Sequence, residues 1–131
     1  MLARWSGWGA VPGVFDPDRS DLAVPRARLG EQLTDTEYAA ARRSTLNAHY
    51  TDAGIVQAIW AAVADLGFTG GQVLEPGCGS GNFIAFAPPG ARMVGVEVDP
   101  TTAAIAAALY PDADIRAESF ADSRFGDGRS T

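Results

Sequence analysis

The segment Val73-Leu74-Glu75-Pro76-Gly77-Cys78-Gly79-Ser80-Gly81-Asn82-Phe83 constrains the fold more than any other part of the chain. An apolar run ends in a carboxylate, three glycines follow at alternate positions, and a hydrophobic run resumes at Phe83. A buried strand turning sharply into a helix has this pattern. Glycine adopts positive φ and has no Cβ to keep a ligand from the backbone. The helix start behind the turn should offer unpaired N–H groups and the positive end of a dipole. Glu75 puts a negative charge at the strand tip, in position to hold an ammonium group.

A second landmark is Met93-Val94-Gly95-Val96-Glu97-Val98-Asp99-Pro100. It reads as a buried strand over 93–98, again ending in acid, with Asp99 as N-cap and Pro100 at the first helical position. Glu97 lies about one βαβ unit beyond the glycines, where an acid can accept both hydroxyls of a ribose. One carboxylate for an amine and one for a ribose describe S-adenosylmethionine (SAM) better than a dinucleotide. The dinucleotide fingerprint also requires glycine at position 82, and Asn82 stands there. A tight turn with no ligand is the structural alternative.

Along the rest of the chain, residues 1–33 read as an irregular arm rich in Trp, Gly and Pro. Trp5, Trp8 and Phe15 anchor it on its own domain or on a partner. Thr34 and Glu37 form a capping box, which predicts a helix from Asp35 to Asn47; Arg42 and Arg43 on it are read as solvated. Thr51 or Asp52 caps the next helix, whose predicted apolar face is Ile55, Ile59, Val63 and Leu66. Gly67 ends it, with Phe68 placed for a hydrophobic contact. Strand 72–75, a short helix from Asn82, strand 93–98, helix 101–109 and strand 113–117 follow. This alternation predicts an α/β fold with a parallel sheet over residues 34–122. Residues 123–131 form a polar tail.

At 131 residues the chain is one small domain. The net charge of −6 argues against a grip on a nucleic-acid backbone by this chain alone. All ten basic residues are arginine, a bias of the coding sequence more than a function. The single cysteine, Cys78, allows neither an internal disulfide nor a cysteine metal cage, and is read as a small residue beneath a tight turn. No run reaches the roughly 20 apolar residues of a membrane span. No membrane association is therefore expected, and a cytoplasmic location is.

The chain resembles SAM-dependent DNA adenine-N6 methyltransferases, and within them the methylase region of very large helicase–methylase proteins of bacterial mobile elements. The marks are Arg4-Trp5-Ser6-Gly7-Trp8-Gly9, Asn47-Ala48-His49-Tyr50-Thr51, Leu74 through Phe83, Val94 through Asp99, and Leu109-Tyr110-Pro111. The resemblance implies a Rossmann-like methyltransferase fold and DNA methylation of the restriction-modification kind. It assigns cofactor contact to Tyr50 and Thr51, which close over the methionine end of SAM. On residues alone this pair is equally a cap and a packed ring. The resemblance further assigns Glu75, Pro76, Gly77, Gly79, Gly81 and Phe83 to the SAM loop. Glu97 with Val98 falls to the ribose, and Glu118, Ser119 and Phe120 to the adenine ring. His49 is read as structural. No catalytic residue and no metal ligand are assigned.

The family's Asn-Pro-Pro-Tyr type motif, which orients the target amine and stacks the flipped base, has no counterpart here. The chain is therefore read as the cofactor half of an enzyme, incomplete after the third strand and inactive alone. DNA would be reached only through a further half or a partner chain, with a helicase region possible downstream. In the family's sheet the first strand lies between the second and the fourth. Strand 72–75 should then present an open edge, and the chain should associate or require a partner. The alternatives are a non-catalytic SAM-binding or interaction module, and a methyltransferase for another substrate.

Overall fold

The computed structural model describes residues 8–11, 13–47 and 50–125. Trp5 and His49 lie outside the described residues. A three-stranded, all-parallel sheet in the order β1-β2-β3 is built from β1 (Gly71–Pro76), β2 (Ala91–Glu97) and β3 (Asp114–Ala117). Among the described residues five α-helices accompany it: α1 (Ala23–Gln32), α2 (Asp35–Asn47), α3 (Ala53–Asp65), α4 (Asn82–Ala85) and α5 (Pro100–Leu109). Among the described residues no helix is long and apolar enough to cross a membrane.

The predicted boundaries of α2 hold because its capping box forms. The Thr34 amide donates to Glu37 Oε2 at 2.8 Å, and the Glu37 amide donates back to Thr34 Oγ1 at 3.3 Å. Helix α3 is capped by Asp52, whose Oδ1 accepts from the Gly54 amide. It closes on Gly67 at φ +98°, with the Gly67 amide donating to Ala64 O and the Phe68 amide to Val63 O. That pair of bonds is the Schellman arrangement, and Phe68 carries its hydrophobic contact into the core.

The buried face of α3 differs from the predicted one. Val56 is 0 % exposed, and Trp60 packs with it and Met93 on the sheet, with Val63 alongside. Ile55, Ile59 and Leu66 point outward, Leu66 at 88 % exposure. Apolar residues surround nearly the whole helix, so periodicity admitted either face. The choice fell to Trp60, whose indole N–H also donates to Phe83 O at 2.9 Å. Only Val63 was placed correctly.

Residues 1–33 are not irregular throughout, since α1 lies within them. Pro25 is tolerated in its first turn, and Leu29 and Leu33 reach the cluster of Trp8, Val14, Phe15 and Ala41. The rings of Trp8 and Phe15, and of Phe15 and Tyr38, meet edge to face. The described part of the arm is thus anchored on α2 of its own chain.

In register, Val73 pairs with Met93 and Glu75 with Gly95, so strand alternation puts Val73, Glu75, Met93, Gly95 and Glu97 on one face. Leu74, Val94, Val96 and Arg116 take the other. Among the described residues β1 pairs only with β2, leaving its far edge open.

Candidate functional site

Parallel strands bring the tips of β1 and β2 together, and with them Glu75, Glu97 and the loop 77–81. Gly77, Gly79 and Gly81 all hold positive φ, at +75°, +56° and +93°, a run closed to other residues without strain. The loop is sewn to β2. The amides of Gly77 and Cys78 both donate to Val96 O, at 2.8 and 2.9 Å, and the Gly79 amide donates to Glu97 Oε2 at 2.9 Å. The Gly81 amide turns inward to Cys78 O. Beneath the loop, Cys78 is buried, its sulfur 2.7 Å from where a Cβ on Gly95 would stand.

These bonds change the expectation of a free anion cradle. Four loop amides are already committed, and α4 has only four residues, too short for a substantial dipole. The glycines also differ in what their missing side chains admit. A Cβ on Gly81 would meet the Tyr110 ring at 2.5 Å, and one on Gly79 the Tyr50 ring at 3.2 Å. Around Gly77 the space is open, so close approach to the backbone is available there.

The charge of the site is negative. Burial, and then the neighbouring Glu97, push the Glu75 carboxyl up to about 7. Its Oε2 is buried and accepts no hydrogen bond from the described residues. Glu97 accepts from two amides, Gly79 on Oε2 and Asp99 on Oε1 at 2.8 Å. Burial, followed by Glu75 and Glu97, raises the Cys78 thiol to about 12, which makes it a poor nucleophile. Among the described residues no cluster of three metal-binding side chains occurs.

Tyr50 bridges the glycine loop and α5. Its ring rests on Gly79, its hydroxyl hydrogen-bonds with Thr102 on α5, and burial raises it to about 12. Thr51 follows, its carbonyl accepting from Asn82 Nδ2 at 2.9 Å. Asp99 caps α5 as expected, accepting from the Thr102 amide at 3.1 Å, while its Oδ1 is buried without a partner among the described residues.

The remaining candidates are placed less centrally. Phe83 packs into the core cluster, and Pro76 ends β1. Val98 is 69 % exposed just beyond Glu97. Glu118, Ser119 and Phe120 follow β3 at the same end of the sheet. Ser119 O accepts from the Asp122 amide, and Phe120 lies beside Phe125, whose ring covers the Arg116 guanidinium at 4.9 Å. Asn82, Thr102 and Tyr110 belong to the site's framework without having been singled out as contacts. The only sequence signal for them was that Asn82 replaces a glycine and that Tyr110 falls in a family mark.

No family model, curated protein or solved structure matches the chain.

Proposed function

We propose that the chain is the SAM-binding portion of a DNA adenine-N6 methyltransferase. The supporting observation is the pair of carboxylates at the tips of adjacent parallel strands, with Glu75 Oε2 buried and unpartnered among the described residues, beside the open backbone of Gly77. A pair of acids beside loop amides that are already engaged repels a pyrophosphate and attracts a cation. SAM carries two cationic groups, the ammonium and the sulfonium, together with a ribose. A nicotinamide dinucleotide brings phosphates instead.

In this reading Glu75 takes the ammonium and Glu97 the ribose hydroxyls, while Gly77 lets the ligand lie on the backbone. Bound SAM supplies an electrophilic methyl group. Transfer breaks the carbon–sulfur bond, forms a carbon–nitrogen bond and releases a proton from the target amine. This chain's residues bind and orient, and alignment is the main source of rate in such a transfer. Presentation of adenine belongs to a second half carrying the Asn-Pro-Pro-Tyr type motif, in the same or another chain.

Equilibrium dialysis with labelled SAM and NAD tests the binding claim. SAM should bind near micromolar, from roughly 0.3 kcal/mol for each of about 27 heavy atoms, and NAD far more weakly. Preference for NAD would overturn the assignment. The substrate claim is tested by combining the chain with a segment that carries the Asn-Pro-Pro-Tyr type motif and assaying methyl transfer to adenine in DNA.

A further inference from the structure

We infer that Asn82 is a positioning residue that fixes the Tyr50–Thr51 segment as a strap over the glycine loop and so governs how long SAM is retained. The inference rests on the SAM reading for its consequence, but its geometry stands independently.

The strap is anchored at three points on three elements. Asn82 Nδ2, at the first position of α4, donates to Thr51 O across 31 residues of chain. The Tyr50 ring lies on Gly79, and the Tyr50 hydroxyl bonds with Thr102 in the first turn of α5. Asp52, immediately after the strap, caps α3. The Asn82 bond therefore ties the start of α3 to the start of α4. Burial, and then the nearby Glu97 and Asp99, disfavour ionisation of Tyr50.

Position 82 is where a dinucleotide loop carries glycine. A glycine there has no side chain to reach Thr51 O, whereas asparagine supplies a donor on a short, stiff arm. The bond also sets the strap's register, so that Tyr50 and not Thr51 meets Gly79. Tyr110 holds the loop separately through Gly81, so the loop keeps its shape when the Asn82 bond is lost.

The test uses Asn82→Ala and the isosteric Asn82→Asp, read in two ways. Without ligand, NMR should show a contact between the Tyr50 ring and the Gly79 Hα in the wild type and its loss in both variants. The Tyr110–Gly81 contact should persist throughout, which certifies an intact loop. With SAM, the variants should bind about threefold to tenfold more weakly, the loss of one partly buried hydrogen bond, and the change should fall on the dissociation rate. In a Tyr50→Ala background Asn82→Ala should add nothing to that rate. Persistence of the Tyr50–Gly79 contact in the variants overturns the inference. So does its loss with an unchanged dissociation rate, or an equal effect in the Tyr50→Ala background. If the wild type fails to bind SAM, the functional reading falls and the retention role with it, while the NMR comparison still decides whether Asn82 sets the strap.

Discussion

Glu97 accepts the Gly79 amide on one oxygen at 2.9 Å and the Asp99 amide on the other at 2.8 Å. One carboxylate thus links the glycine loop, the end of β2 and the start of α5. Glu97→Ala leaves two amides without their charged acceptor and should lower unfolding free energy by about 2–3 kcal/mol in urea titration. Glu97→Gln keeps one acceptor oxygen and should lose roughly half as much. Both should weaken SAM binding, the alanine variant by at least about tenfold.

The alternate glycines should respond unequally to alanine. Gly77→Ala meets only backbone strain, about 1 kcal/mol, yet should impair SAM binding by filling the open approach. Gly81→Ala adds collision with the Tyr110 ring and should cost about 2–4 kcal/mol. Tyr110→Ala placed in the Gly81→Ala background should remove the collision and leave the strain, so the double-mutant cycle is non-additive. Chemical denaturation of the four proteins measures it.

The two faces of α3 make opposite predictions. Trp60→Ala removes a buried indole and its bond to Phe83 O, and should destabilise by about 3–5 kcal/mol. Ile55→Glu and Leu66→Glu, on the exposed face, should change stability by no more than about 0.5 kcal/mol. Because that face and the open edge of β1 invite association, the glutamates should also reduce concentration-dependent sedimentation. Equal destabilisation from both faces would contradict the observed packing.

Glu75 gives stability a pH dependence of definite sign. Its carboxyl titrates near 4.5 when unfolded and at about 7 when folded. A raised folded pKa contributes stability that is full below about 4.5 and is lost as pH rises through about 7. The loss should be on the order of 2 kcal/mol after allowance for solvent screening. Glu75→Gln, which cannot ionise, should flatten this part of the profile in melts between pH 4.5 and 8.

Much of the frame was legible because local signals agreed. The Thr34–Glu37 box, Asp52, Gly67 with Phe68, and Asp99 with Pro100 act within a few residues, and each sets its helix end as read. The strands were found where apolar runs met glycine turns. What escaped was settled at long range. The sequence around Ile55 and Val56 supports two buried faces, and only the distant Met93 and Phe83 select one. Pro25 and the neighbouring prolines concealed α1, whose Leu29 and Leu33 are stabilised by Trp8 and Phe15. In the site, the two acids and three glycines were evident, since strand tips concentrate such residues. That two of the glycines accommodate Tyr50 and Tyr110, and that Asn82 holds Thr51, depends on contacts across 29 or more positions. No local pattern encodes those.

The central claim is that a partly protonated carboxyl at Glu75 receives a cationic ligand. Calorimetric titration with SAM at pH 6, in two buffers of different ionisation enthalpy, tests it most directly. A cation binding beside Glu75 favours the ionised form, so the account predicts micromolar binding with release of up to about one proton. Glu75→Gln should abolish that release. Binding without proton release, or proton release undiminished in Glu75→Gln, would contradict the account.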